Sequence, residues 1–248
     1  MTRFYRIASA LAVILLATCG QNVTLADQPA TDQQQSMESL SAEEFLREVR
    51  RPLRTDAWGE ITGSITHKTG DSTSVKGIIR VRITFTPESM HAQVVLNDVN
   101  VYGFEQKHGQ DDKTSTMLDL PKEEQAPGLF SFGVVPADLT FAFIYWDFVA
   151  ELPRQSSRLR ECRVMKLADP KSTDMVQVWF SAQHGFPMEA WWYHHGEDKP
   201  WRKLELKGAK KHANGLWFVK EMRLDGHEWK TLVRFDHAEI NPIGPDGK

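Results

Sequence analysis

The stretch from Val164 to Ile240 constrains the fold most, because it is a succession of short β runs separated by turn signals. Arg163–Leu167, Met175–Phe180, Met188–His194, Trp201–Leu206, Leu216–Met222 and Trp229–Phe235 are punctuated by Asp169-Pro170, Gly185, Gly196, Pro200, Gly208, Asn214-Gly215 and Asp225-Gly226. In Met175–Phe180 the apolar Val176, Val178 and Phe180 face one way and Gln177 and Trp179 the other. Alternation of period two at this spacing predicts an antiparallel meander with one face buried. Asn214-Gly215 and Asp225-Gly226 are dipeptides that accept positive φ in tight hairpins.

The first half carries the same pattern. Trp58–His67 alternates loosely and Val75–Phe85 cleanly, with Val75, Gly77, Ile79, Val81, Ile83 and Phe85 on one side. Lys76, Arg80, Arg82 and Thr84 take the other side, where Ile78 is the exception. Met90–Leu96 and Val99–Phe104 continue the series, followed by loops at Gly109–Lys113 and Leu120–Pro127. Ahead of the strands, Ser41 and Glu44 form a capping box, and Phe45, Leu46 and Val49 form one apolar stripe, which predicts a helix over 41–51. A second helix is expected over Pro136–Val149, with proline in its first turn and Asp138 near its positive end. Leu139, Phe143 and Trp146 share one side of it and Phe141, Tyr145 and Phe148 lie on others, so it must be covered all round. It is either a core helix or a lid over an apolar ligand.

Several segments carry a resemblance. Gly215-Leu-Trp-Phe-Val-Lys-Glu-Met222, with His227 and Lys230-Thr-Leu-Val-Arg-Phe-Asp236, resembles the closing segment of the LolA-like outer-membrane lipoprotein-sorting proteins. Arg160-Glu-Cys-Arg-Val-Met-Lys-Leu167 resembles a strand of that family, as does Gln177-Val-Trp-Phe180 with Gly185-Phe-Pro-Met188. The likeness covers the last half of the chain well and the first half in outline. It implies a mainly β (α+β) fold: a curved antiparallel sheet forming an incomplete β-barrel, with helices as a lid on the concave side. Strand patterning and resemblance agree on this.

The expected organisation is a signal peptide at 1–26, a polar Gln-rich spacer at 27–40, one domain at 41–241 and a tail at 242–248. Arg3 and Arg6 precede an apolar run, Ile7–Ala17, of signal-peptide length and too short for a comfortable membrane span. Thr24-Leu25-Ala26 suits cleavage before Asp27, whereas Leu16-Ala17-Thr18-Cys19 resembles a lipobox that would leave Cys19 acylated. Thr18 departs from the small residue usual there, which weighs toward a soluble product. Export places the protein in the periplasm.

The chemistry that the sequence offers is sparse. A net charge of −3 over 248 residues gives no basic footprint for nucleic acid, although ten lysines and arginines lie between Lys199 and Arg234. Two cysteines, Cys19 and Cys162, are too few for a disulfide framework, and Cys162 reads as a small buried hydrophobe. No hydrolase elbow, zinc-protease helix, phosphate loop or paired-cysteine motif is present. His194-His195 with Glu197 and Asp198 is the best metal candidate, but neighbouring strand residues point to opposite faces. An exposed hairpin loop is the plainer reading. Trp191-Trp192 must place one ring on each face of its strand.

The expectation is therefore a protein without catalytic, metal or cofactor sites. The resemblance implies a monomeric carrier or chaperone for acyl chains of lipoproteins or lipids, with an envelope transporter as donor and an outer-membrane acceptor. The expected apolar ligand site comprises Val81, Ile83, Val94, Leu96, Val178 and Phe180 from the concave face, with Leu139, Phe143 and Trp146 from the helix above. An aromatic carbohydrate binder, a secreted hydrolase with an unrecognised site, and an envelope scaffold that keeps the fold without the cavity are the alternatives.

Overall fold

The computed structural model describes residues 11–12, 15–17, 37–51, 56–108, 113–123, 125–211 and 216–242. Cys19, the Thr24–Ala26 cleavage position and the Asn214-Gly215 turn lie outside the described residues. Two short strands fall within the apolar run of the expected signal. These are β1 (Leu11–Ala12) and β2 (Leu15–Ala17), which pair together, β2 also lying against Leu216–Phe218. The rest of the signal reading lies outside the described residues.

One helix precedes the main strands. In α1 (Ala42–Val49) the Glu44 N–H donates to Ser41 Oγ at 3.3 Å, and Ser41 N–H donates back to the Glu44 carboxylate at 3.0 Å. Phe45, Leu46 and Val49 are buried, as their spacing predicts. Each such apolar side chain contributes roughly 1.5–3 kcal/mol on burial. Met37–Leu40, assigned by the sequence to the spacer, also dock: Met37 and Leu40 pack on the core, and buried Arg163 donates to both their carbonyls.

The strands are β3 (Ala57–Thr69), β4 (Val75–Phe85), β5 (Ser89–Leu96), β6 (Asn100–Lys107), β7 (Thr116–Asp119), β8 (Asp147–Ser157), β9 (Arg160–Ala168), β10 (Met175–Ser181), β11 (Pro187–Tyr193), β12 (Arg202–Lys211), β13 (Leu216–Asp225) and β14 (Trp229–Pro242). They form one antiparallel path, β7-β6-β5-β4-β3-β14-β13-β12-β11-β10-β9-β8, that does not close into a barrel. Each half is a meander built from sequence neighbours. The one long-range pairing on that path is β3 with β14, which joins the first of these strands to the last in mid-sheet.

The predicted alternation holds where it was cleanest. Ile79, Val81, Ile83 and Phe85 of β4 are buried, opposite Leu96, Val94, Ala92 and Met90 of β5. Val176, Val178 and Phe180 of β10 are buried likewise, and Phe45 of α1 meets Phe180 edge-on at 5.8 Å. Val75, expected on the same side, is 43% exposed because it lies past the core at the start of β4.

Two readings are corrected. The helix expected over 136–149 is broken: α2 (Pro136–Thr140) stops at Phe141, which sits at φ 50°, and a 3-10 turn follows over Ala142–Tyr145. Asp147 already begins β8. The apolar density that argued for a long helix comes instead from being buried on all sides. Gly226 does not adopt positive φ; what it provides is room, since a Cβ there would meet the Trp229 indole at 2.1 Å unless the ring tilts. Positive-φ hairpin positions among the described residues include Gly70, Gly185 and Gly196, and the non-glycine pairs Asn97-Asp98 between β5 and β6 and Arg158-Leu159 between β8 and β9.

Candidate functional site

The sheet's concave face is covered by α1 and by the segment 129–146, which begins with a 3-10 turn at Leu129–Phe132 and contains α2. Within it Leu129, Phe132, Val134, Leu139, Phe141, Phe143 and Ile144 are almost fully buried. Phe143 meets Trp192 of β11 edge-on at 5.2 Å. All nine expected ligand-site residues lie in this interior: Val81, Ile83, Val94, Leu96, Leu139, Phe143, Trp146, Val178 and Phe180 are each at most 8% exposed. The fold gathers them into one apolar cluster, with the lid residues packed on the sheet.

What sequence reasoning missed is the polar rim that ties this cover down. Arg202 of β12 is buried and makes a two-pronged ion pair with fully buried Asp138 of α2, one prong at 2.7 Å. The same guanidinium donates to the Gly133 carbonyl at 3.1 Å and lies 4.9 Å above the Trp192 ring. Asp138 also takes the Val135 N–H at 2.8 Å, so both carboxylate oxygens are engaged. At the other end Arg50, the C-cap of α1, donates to the Ile144 and Trp146 carbonyls at 2.7 Å each. Tyr102 Oη takes the Leu129 N–H at 2.8 Å, and Thr231 Oγ1 donates to the Phe132 carbonyl. A segment with little regular helix must place its carbonyls and N–H groups somewhere, and here side chains of the sheet and α1 receive them. The only sequence hint was Asp138 itself, read as a helix-end charge. Its partner lies 64 residues away.

The open edges of the sheet also meet here. Lys113, just before β7, pairs with Asp147 at the start of β8, and Ser115 with Thr140 of α2. Arg80 and Arg82, by contrast, point away from the lid and pair with exposed carboxylates, Glu60 among them.

Tyr145 of the lid is pushed up to about 12 by burial, so it stays protonated, and its hydroxyl lies 3.4 Å from His108 Nδ1. Burial holds His108, and likewise His184, below the usual histidine range. The unfolded chain therefore binds protons at these sites before the folded one does. Their contribution to stability is complete above the free value of about 6.5 and is lost as pH falls from there through the folded value. The thermal midpoint is expected to fall in that window, and His108→Asn should flatten the slope; an unchanged slope would remove His108 from the account.

The remaining candidates are placed plainly. Among the described residues no group of three His, Cys, Asp or Glu side chains converges as a metal site. His194 is exposed, stacks on Trp201 and contacts Asp174 at 3.1 Å, in the hairpin turn between β11 and β12. Cys162 is buried and its thiol pushed up by burial, which leaves it a poor nucleophile. Trp191 and Trp192 take opposite faces: Trp192 lies under the lid, whereas half-buried Trp191 sits 4.6 Å from Trp179 with the Lys203 ammonium 3.9 Å over its ring.

No protein-family model and no curated protein matches the chain. Solved structures do. A DUF1329 family protein from Desulfovibrio piger superposes with a TM-score of 0.61 at 14% identity, over 77% of this chain and 87% of its own. A putative outer membrane lipoprotein-sorting protein domain from Vibrio parahaemolyticus gives 0.60 at 15% identity, over 83% of this chain and 92% of its own. A LolA superfamily protein from Nitrosomonas europaea aligns over 81% of this chain at 10% identity and a TM-score of 0.49. An unclosed antiparallel sheet with its concave face under a short helical cover thus shares its fold with the Desulfovibrio piger protein and the putative lipoprotein-sorting domain from Vibrio parahaemolyticus, as the resemblance of the C-terminal strands implies.

Proposed function

We propose that this protein is a periplasmic, non-enzymatic carrier that binds the acyl chains of lipoproteins or lipids between the concave face and its cover. One observation carries the reading: a largely apolar concave face is closed by a short, broken segment held at its rim by side-chain clamps, Arg202–Asp138 and Arg50 foremost. A ligand that displaced Leu139, Phe143 and Trp146 would exchange one set of apolar contacts for another on Val81, Ile83, Val94, Leu96, Val178 and Phe180. Each alkyl CH₂ taken out of water contributes roughly 0.8 kcal/mol, so two acyl chains suffice to drive the exchange. The carrier works as a monomer between an envelope donor and an outer-membrane acceptor. A second reading, an envelope scaffold that keeps the fold and not the cavity, draws on how completely the lid fills the interior.

Native mass spectrometry on protein recovered from a bacterial periplasm separates the two. Co-purified fatty acid, phospholipid or lipopeptide, with quenching of Trp192 fluorescence on adding acyl chains, is expected of the carrier. A bare mass that takes up no added acyl chain would leave the scaffold.

A further inference from the structure

Two features of the sequence are not used by the lidded face: the basic residues between Lys199 and Arg234 apart from the clamp Arg202, and Ile78 alone on a polar strand face. The register brings them together on the outer, convex side. Lys68, Lys230, Asp225 and Lys203 form one row across β3, β14, β13 and β12. The next row runs Lys76, Thr66, Leu232, Arg223 and Glu205, starting from β4. A third runs Ile78, Ser64, Arg234, Glu221 and Lys207. These rows hold seven basic and three acidic residues, a surplus of four positive charges on a chain whose net charge is −3.

The acids are already committed. Glu221 pairs with Arg234, Asp225 lies 3.9 Å from Lys230, and Glu205 is shared by Lys207 and by Arg158 from the β8–β9 hairpin. Lys68 and Lys76 make no ion pair among the described residues. Lys68 stands directly opposite Lys230, an arrangement that repels unless an anion lies between. A depression of about 310 Å³ opens there, lined by Lys68, Lys230, Arg223, Thr66, Thr231 and Leu232. Beside it Ile78 is 58% exposed, an apolar side chain amid cations.

We propose that this convex face docks on an anionic bilayer, the depression receiving a headgroup phosphate and Ile78 entering between headgroups. Positive charge spread over several strands with one apolar side chain suits a surface of many phosphates. The inference stands apart from acyl binding: a protein that binds acyl chains and ignores vesicles loses only this proposal.

The test is flotation of the full chain with vesicles of phosphatidylcholine alone or with phosphatidylglycerol added. Arg3 and Arg6 beside the apolar N-terminus also favour anionic vesicles, so the deciding comparison is K68Q/K230Q against the parent chain on the same vesicles. Binding should favour the anionic vesicles and weaken with added salt, which screens beyond about 10 Å at 0.1 M. Each lysine near an anionic leaflet contributes about fivefold, so K68Q/K230Q should lose about thirtyfold. Both positions are exposed, so the melting temperature should hold; Ile78→Ser should lower binding to the same vesicles in a salt-insensitive way. Equal partition into both vesicles, or no loss in K68Q/K230Q, would overturn the proposal. So would calorimetric binding of inorganic phosphate at these lysines without vesicle preference, which would make the depression a small-anion site.

Discussion

Asp138→Ala is expected to destabilise the protein by about 3–5 kcal/mol, because it leaves the Arg202 guanidinium buried without its counter-charge. In a chain of this size that corresponds to a melting temperature lower by about 10 °C. The pair's own worth is smaller than this, since both charges were desolvated to form it. Arg202→Met with Asp138→Leu removes both charges and keeps comparable volume, so the double variant should recover most of the loss. Arg82→Ala, which breaks an exposed pair with Glu60, sets the scale at the other end and should cost under about 1 kcal/mol. Thermal and urea unfolding of the four proteins measures this directly. An Asp138→Ala loss within 1 kcal/mol of Arg82→Ala would show that water reaches the pair and that the lid is held by apolar packing alone. The same variant bears on function: with the clamp gone, acyl uptake should quicken in Asp138→Ala if the lid must lift to admit a ligand.

The strands were legible because their physics is local. Alternation in Val75–Phe85 and Met175–Phe180 reports one buried face whatever packs on it, and the Ser41–Glu44 cap needs only four residues. The lid was legible as apolar and illegible as shape. Sequence cannot show that Phe141 takes a left-handed conformation, because what holds it there is burial in the common interior, together with the clamps Arg50 and Arg202 on either side of it. β8 was missed for a related reason. Pro153 and two irregularities of register blur its alternation, features that an edge strand tolerates and a central one does not. The nine expected ligand-site residues were chosen from pattern and resemblance together. Their common interior could not be read, since it depends on β3 pairing with β14 across almost the whole domain.

That pairing makes Gly63→Ala the second large effect. β3 and β14 are the junction of the two meanders, and β14 carries an irregularity between Phe235 and His237 that slips the register against Thr62 and Gly63. A Cβ on Gly63 would lie 1.9 Å from the Arg234 carbonyl oxygen and 2.9 Å from the Phe235 Cα. Both are backbone atoms in a paired strand, so neither can move aside without loosening the ladder. A loss of about 3 kcal/mol follows, at the upper end for overpacking. A Cβ on Gly226 would meet atoms nearly as close, the nearest at 2.1 Å, but these belong to the Trp229 side chain. That indole is stacked on His67 at 5.8 Å and can tilt, so about 1 kcal/mol and a changed tryptophan emission are expected. Hydrogen exchange distinguishes the two mechanisms. Gly63→Ala should expose amides of β3 and β14 on both sides of the junction, whereas Gly226→Ala should confine any change to the β13–β14 turn. Equal losses in the two variants would mean that the register slip absorbs a methyl group, and the junction would then be a compliant hinge between the two halves of the sheet.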